Sequence, residues 1–396
     1  MDTPPSRHAL PDLVCFSHLR WDFVYQRPQH LMSRFARTRR VSFIEEPLFE
    51  STDRPYLRVT TRDAGVDVVV PVLPEETPAR ESISAQHQLF TAYISEHCAA
   101  PPTFWLQTPM AVPLAPTELA GVVIYDCMDE LSAFHGASPS LAFNEKQLLT
   151  RADLVFTGGQ ALYEAKRTRH PNVHCFPSGI DRGHFATART HHHGAGCPVE
   201  FRDMAPGTRV GFAGVIDERL DIDLLDAVAG ARPEIQFVMV GPVVKIDPAS
   251  LPQRENIHYL GMRSYDELPA HMAEWDVAMM PFARNAATRF ISPTKTPEYL
   301  AAGLPVVSTS ILDVVRRYGS AGLVAIADEP GDFAAAIDAA VDTRNDPDRL
   351  RAVDAALAQS TWESVWERMA ALERARIMVA APVGVPVPSG GRARAQ

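Results

Sequence analysis

Short runs of β-branched and other apolar residues alternate with helical patterns along nearly the whole chain. This alternation predicts parallel sheets whose strands are joined by crossover helices. In the first half the apolar runs predict strands at 12–17, 40–45, 66–72, 103–107, 121–126, 153–157 and 173–176. Helices are predicted between them at 28–37, 84–98, 141–151 and 161–169.

The periodicity stops in a stretch rich in Thr, His, Gly and Pro and then begins again, so residues 189–206 are predicted to be a linker. Beyond it, strands are predicted at 209–213, 236–241, 257–260, 277–280, 305–308 and 323–327. The predicted helices of this half are 220–228, 265–272, 297–302, 332–343, 346–358 and 362–378.

The two patterns predict two doubly wound, Rossmann-like α/β domains at 1–188 and 207–360. A C-terminal helix at 361–379 is expected to pack back toward the first domain, and the tail 380–396 is expected to be disordered because it is rich in Pro, Gly and Arg. Ligands of doubly wound sheets bind where the strands end and helices begin, so we expect a site in the cleft between the two sheets.

Composition narrows the class of protein. The chain of 396 residues has 38 Lys and Arg against 48 Asp and Glu, a net charge of −10, which excludes a basic surface for nucleic acid. No apolar stretch is long enough to span a bilayer and the first residues are polar, so a cytoplasmic location is expected. The block His191–His193 lies in the predicted linker, and no metal site is expected there.

The segment 291–307 is the most informative stretch for chemistry. Hydroxyl residues stand at its predicted helix start (Ser292, Thr294 and Thr296), and Gly303 ends the helix. A helix N-terminus attracts anions, and Lys295, one of only four lysines, adds a full charge beside it. We interpret this segment as a diphosphate site; the alternative is an ordinary capped helix with a surface lysine.

A second loop, 210–219, follows the first strand of the second domain. Gly214 lets a phosphate or sugar approach the backbone, and Arg219 is expected to reach the same anion. The loop is not GxGxxG and no acidic residue ends a matching second strand, so a dinucleotide fingerprint is absent.

Polar residues also follow strands of the first domain. The loop after the first strand is predicted to face an acceptor, with His18, Arg20, Gln26 and Arg27 as candidate contacts; the alternative is a solvated loop. Asp126 and Asp129 follow a later strand, where one of them is expected to act as a base or to orient the acceptor hydroxyl group. The alternative is turn and helix-cap chemistry.

Three runs in the second half resemble the donor-binding domain of glycosyltransferases with the two-domain GT-B fold, in particular family 4 (group 1). They are 256–261, 273–281 (AEWDVAMMP) and 297–307 (PEYLAAGLPVV). In the first half, 17–31 (SHLRWDFVYQRPQHL) and 125–130 (YDCMDE) resemble a bacterial subgroup that makes cell-envelope polysaccharides, including teichuronic-acid transferases.

This resemblance implies a UDP- or GDP-linked sugar donor and a glycan or lipid-linked acceptor, and with such an acceptor loose association at the inner face of a membrane is expected. No metal or other cofactor is expected, because cationic side chains and a helix end would neutralise the phosphates. It implies that Lys295 faces the donor diphosphate. Glu298 matches the second glutamate of a paired motif, which in that family contacts the donor ribose; a surface helix carboxylate is the alternative. The first glutamate is replaced by Phe290, so Asn285 or Arg289 is expected to take its place, and retention or inversion at the anomeric carbon is left open.

Two other functions stay open from the sequence. One is a sugar-nucleotide epimerase of the same fold. The other is a catalytically inactive sugar-nucleotide-binding subunit, which the missing carboxylate at Phe290 favours.

Overall fold

The computed structural model describes residues 10–190, 197–202 and 204–380. In these ranges the strands form two separate sheets, one on each side of a cleft. The block His191–His193 and the tail beyond residue 380 lie outside the described residues.

The first sheet is built from nine of the described strands in the order β3-β5-β2-β1-β6-β7-β8-β9, with β4 paired to β5. The strands are β1 Leu13–Phe16, β2 Val41–Ile44, β3 Leu48–Glu50, β4 Tyr56–Thr61, β5 Val66–Pro74, β6 Thr103–Leu106, β7 Val122–Cys127, β8 Leu154–Thr157 and β9 Val173–Cys175. Only β4 runs antiparallel among these described pairings. The carboxyl ends of β1 and β7 therefore open at the same edge of the sheet, facing the cleft.

The second sheet has the order β12-β11-β10-β13-β14-β15 and is parallel throughout the described strands. Its strands are β10 Arg209–Ala213, β11 Gln236–Val240, β12 Ile257–Gly261, β13 Val277–Met280, β14 Val306–Ser308 and β15 Val324–Ile326. Strands β11 and β12 lie on one side of β10, and β13, β14 and β15 lie on the other. The strand order therefore changes direction between β10 and β13, and doubly wound sheets bind ligands at such a switch point.

Helices cover both sheets. They are α1 Arg27–Phe35, α2 Ala79–His97, α3 Ser140–Arg151, α4 Gln160–Lys166, α5 Arg182–Ala186, α6 Ile222–Ala231, α7 Leu268–Ala273, α8 Lys295–Ala301, α9 Leu312–Val314, α10 Pro330–Val341, α11 Pro347–Leu357 and α12 Trp362–Ala380. Gly303, at φ +84°, follows the end of α8 as predicted, because a left-handed residue there suits glycine.

Every strand and helix predicted from the sequence overlaps an observed one. The pattern missed β3 and β4, which extend the edge of the first sheet. The residues of β4 are mostly exposed, so they show no apolar run from which a strand would be predicted.

The chain enters the second domain earlier than predicted. Ile180, Phe185 and Ala188 pack in the apolar core of the second sheet, together with residues such as Phe212 and Leu300. The boundary at 188 is therefore wrong, because α5 belongs by its packing to the second domain. The reason is local: the short α5 buries its apolar side chains against α7 and α8 as soon as the chain has crossed.

The C-terminal helix α12 packs against the first domain. Trp362 and Met369 lie in the same apolar cluster as residues of β1 and α1. A buried ion pair joins Arg39 to Glu373, with Nη2 and Oε2 2.6 Å apart. Within the described part of the chain, no helix is long and apolar enough to cross a membrane.

Candidate active site

Lys295 lies at the start of α8, with its side chain laid across the backbone of Gly214 in the loop after β10. A Cβ atom at position 214 would collide with the Cε and Nζ atoms of Lys295, and the φ of Gly214 is +150°. The Nζ atom lies 5.5 Å from the centroid of the Phe212 ring and 5.8 Å from that of Phe282. The side chain of Lys295 is therefore held in one place by its surroundings.

Charged groups of both signs surround this ammonium. Burial and the nearby Arg219 lower the pKa of Lys295, while Glu298, Asp217 and Asp129 act in the opposite direction. Burial raises the pKa of Glu298, which stands in the first turn of α8 and is opposed by Lys295. The structure thus brings Lys295, Glu298 and Arg219 together, with the carboxylates of Asp217 and Asp129 near them, and their contact with a donor stays a prediction.

Arg219 is fixed by a carboxylate that the sequence analysis did not single out. Asp217 is only 4% exposed, and its two oxygens accept hydrogen bonds from Nε and Nη2 of Arg219 at 2.9 and 2.7 Å. The Arg219 amide also donates to Asp217 at 3.0 Å. Asp217 stands two residues before Arg219 in the same loop, but nothing in the pattern distinguishes it from an ordinary turn residue.

Asp129 faces this group from the first domain. It lies just beyond β7, half-buried, and within the described residues its carboxylate makes no hydrogen bond. Burial raises the pKa of Asp129, while the charges of Arg219 and Lys295 act to lower it. A carboxylate without a protein hydrogen bond is free to accept a proton from a bound hydroxyl group.

The predicted role of Asp126 as a base is wrong. Its side chain is 0% exposed, and Arg27 binds it with Nη2 and Oδ1 2.8 Å apart. The indole Nε1–H of Trp105 donates to the other oxygen at 3.1 Å. The placement of Arg27 on the acceptor side is wrong for the same reason, since this guanidinium is 3% exposed and also donates to the carbonyl of Phe176.

Two other residues of the loop after β1 also make internal contacts. Gln26 stands at the N-cap of α1, and its backbone N–H donates to the Oε1 atom of Gln29 at 3.1 Å. Arg20 donates to the Glu45 carboxylate at 2.9 Å and to the carbonyl of Glu46 at 2.7 Å. The Arg20 side chain is still 37% exposed, and the predicted contacts of Arg20 and Gln26 with an acceptor stay predictions.

His18 keeps its predicted place at the cleft. Its Nδ1 atom is buried and has no hydrogen-bond partner among the described residues. Burial and the charge of Lys245 from the second domain lower the pKa of His18 to about 4. The imidazole is therefore neutral near pH 7 and lies where the two domains meet.

The hydroxyl residues around α8 divide into two groups. Thr296 is 0% exposed, and its hydroxyl group lies 3.3 Å from the sulfur of Met280, so its predicted donor contact is wrong. Ser292 and Thr294 line a narrow crevice against Pro177 and Ser178. Their contact with a donor stays a prediction.

Phe290, which stands where the resemblance expects a glutamate, packs against the apolar core of the first domain. The guanidinium of Arg289 lies over its ring, 5.2 Å from the centroid. Asn285 turns back on its own loop, accepting a hydrogen bond from the amide of Thr288. Among the described residues, no group of three or more His, Cys, Asp or Glu side chains is arranged to hold a metal ion.

Residues 207–343, which contain Arg219, Lys295 and Glu298, match the family profile described as Glycosyl transferases group 1. The chain is 27% identical over 208 residues to TuaH of Bacillus subtilis strain 168, which is named as a candidate teichuronic acid biosynthesis glycosyltransferase. That alignment covers 48% of this chain and 50% of the relative, so the match spans half the length of the curated relative.

Solved structures match over nearly the whole chain. Sucrose-phosphate synthase from Thermosynechococcus elongatus gives a TM-score of 0.68 at 14% identity, covering 93% of this chain and 100% of that one. Anabaena HepE in complex with UDP gives 0.64 at 13% identity, covering 92% of this chain and 100% of that one. At these identities the matches show the fold, and they confirm the two-domain GT-B architecture predicted from the sequence.

Proposed function

We propose, from the glycosyl transferase group 1 domain at residues 207–343, that this chain transfers a sugar from a nucleoside-diphosphate donor, UDP- or GDP-linked, to a glycan or lipid-linked acceptor. The observation that carries the proposal is the Lys295 ammonium laid against Gly214 beside Arg219 at the switch point of the second sheet.

Departure of the nucleoside diphosphate is the step that these cations assist. Negative charge builds on the leaving diphosphate as the bond to the sugar breaks, and fixed positive groups stabilise that charge. Asp217 holds Arg219 with both carboxylate oxygens, and Gly214, Phe212 and Phe282 hold Lys295. Both cations are therefore in place before the charge develops, and the proposal needs no metal or other cofactor.

Asp129 is the proposed base for the acceptor hydroxyl group. It comes from the opposite domain, its carboxylate has no hydrogen bond among the described residues, and burial raises its pKa. A raised pKa makes a carboxylate a stronger base while the neighbouring cations keep it ionised. Glu298, one turn into α8, is proposed to contact the donor on the second-domain side.

The place of this activity in cell-envelope polysaccharide synthesis is supported by the similarity to TuaH, whose name carries teichuronic acid biosynthesis. With this similarity as the support, we also propose a glycan or lipid-linked acceptor and activity at the inner face of a membrane. Phe290 packs against the first domain and supplies no carboxylate, so Asp129 is the carboxylate proposed to act at the acceptor.

The test is a screen of the full chain against UDP- and GDP-sugars and the free nucleotides. A ligand at 100 times its dissociation constant raises the free energy of unfolding by about 2.7 kcal/mol, which a thermal melt detects. Released nucleoside diphosphate together with a glycosylated product supports transfer. A free sugar-nucleotide isomer would instead indicate an epimerase, and binding without turnover would indicate an inactive subunit. The absence of a thermal response to any nucleotide would overturn the proposal.

A further inference from the structure

The loop that follows Asp129 reaches from the first domain onto the second. The ring of Phe134 has the Arg219 guanidinium 5.7 Å from its centroid and the Lys245 Nζ atom 5.8 Å from it. The next residue, His135, donates its backbone N–H to both carboxylate oxygens of Glu218 at 3.0 Å. We use the word latch for the contacts that Phe134 and His135 make with the second domain.

The other end of this loop is anchored in the first domain. Glu130 accepts from the Lys166 ammonium at 2.5 Å, and that ammonium also binds Glu145 in the interior. Tyr125 on β7 donates to Glu145 as well, at 3.2 Å. Asp129 therefore stands on a segment that is fixed to the first domain, only five residues before a point that is fixed to the second.

The Phe134 part of the latch contacts two cations of the second domain, Arg219 and Lys245. Asp217 binds the edge of the Arg219 guanidinium, which leaves its face for the ring of Phe134. Aromatic rings attract cations to their faces. The two cations near the Phe134 ring are Arg219, in the loop after β10, and Lys245, in the loop after β11. The contacts are possible only when the domains are close together.

We infer that Phe134 and Glu218 are positioning residues that hold the two domains in the arrangement in which Asp129 faces Arg219 and Lys295. The inference rests on the proposed function for its catalytic consequence. The latch itself is a statement about domain arrangement, because neither Phe134 nor Glu218 needs to touch a substrate. Misplacement of a reacting group by about 1 Å lowers rates by up to about 10²-fold, so losing the latch slows turnover.

The test compares Phe134→Ala and Glu218→Ala, which removes both acceptor oxygens of the His135 amide, with the unaltered full chain in three measurements. These are the radius of gyration by small-angle X-ray scattering, the dissociation constants for UDP and GDP, and kcat with KM for the donor that the screen identifies. Phe143→Ala is the control for loss of an aromatic ring, since Phe143 is 63% exposed on α3. Glu96→Ala, at an exposed position of α2, is the control for loss of a carboxylate side chain.

We expect both latch variants to fold, to have a larger radius of gyration, and to lose about tenfold or more in kcat. Nucleotide dissociation constants should stay within about threefold, because the nucleotide is bound by the second domain. A radius of gyration and kcat at the unaltered level would overturn the inference. So would nucleotide affinity falling in parallel with kcat, which would make Phe134 a binding residue. The scattering measurement uses no substrate, so the latch is tested even where the chain shows no transfer.

Discussion

Lys295 is the residue on which the proposed chemistry depends most. Its ammonium lies beside Arg219 and against Gly214, where a diphosphate would sit. Removing one preorganised charged group of this kind typically raises the barrier by about 3–4 kcal/mol, or about 10²–10³ in rate. We expect Lys295→Ala to fold normally, to bind nucleotide less tightly and to lose turnover on that scale.

Lys295→Arg should recover part of the lost turnover, because the charge is kept while its reach and shape differ. Steady-state kinetics with nucleoside diphosphate release as the readout checks both variants. Transfer by Lys295→Ala at nearly the unaltered rate would show that this lysine is only a surface residue of a capped helix.

The pH dependence of nucleotide binding should report the same ammonium. Burial and Arg219 lower the pKa of Lys295 below the usual value of about 10.4. A lysine is charged below its pKa, so the affinity for a nucleoside diphosphate should fall as the pH rises through that lowered value. Binding should also take up protons in this range, which calorimetry in buffers of different ionisation enthalpy measures. In Lys295→Arg the fall should disappear, and a fall that persists there would assign it to another group.

Asp126 and Asp129 are three residues apart, but the first is expected to have a structural role and the second a catalytic one. Arg27→Ala leaves Asp126 buried without its ion pair, and breaking such a pair typically lowers the free energy of unfolding by about 3–5 kcal/mol. Asp129→Asn removes no hydrogen bond among the described residues, so stability should hardly change while turnover falls by about 10²–10⁴. Chemical denaturation and kinetics on both variants check this. An Arg27→Ala variant as stable as the unaltered chain would contradict the structural role of Asp126. A fully active Asp129→Asn variant would contradict the catalytic role of Asp129.

At the scale of elements, the loop after β10 and the start of α8 form one unit. Gly214 is at φ +150° and has the Lys295 side chain where a Cβ would lie. Gly214→Ala should therefore displace Lys295 and weaken nucleotide binding, whereas Gly331→Ala in α10, which meets open space, should not. Titration calorimetry on the two variants makes the comparison. Equal affinities would show that Lys295 does not contribute from the place it occupies.

The sequence predicted elements better than it predicted side-chain roles. Strands and helices follow from local periodicity, and the end of α8 follows from Gly303. The fate of Asp126 depends on Arg27, which lies 99 positions away in the chain, so no local pattern separates Asp126 from Asp129. Thr296 likewise reads as one of three similar hydroxyl residues until packing turns it toward Met280.

At the scale of the whole molecule, the sequence did not predict which residues make the contacts between the two domains. Asp313 of the second domain accepts from the backbone N–H groups of Gln160 and Ala161 at 2.8 and 2.9 Å, at the start of α4. Gly159 makes room for it, because a Cβ there would collide with the Asp313 carboxylate. With the latch, this contact spans the cleft and sets where Asp129 lies relative to the cations. Such pairs join residues far apart in sequence and leave no periodic signal.

A structure of the full chain with the nucleoside diphosphate identified by the screen tests the central claim most directly. The account predicts that the diphosphate lies at the carboxyl end of β10, with its oxygens at hydrogen-bond distance, about 2.7–3.2 Å, from Nζ of Lys295 and the guanidinium of Arg219. It also predicts Asp129 on the opposite side of the cleft, facing the bound group. A diphosphate held by the first domain, or one in the cleft that touches neither cation, would contradict the account.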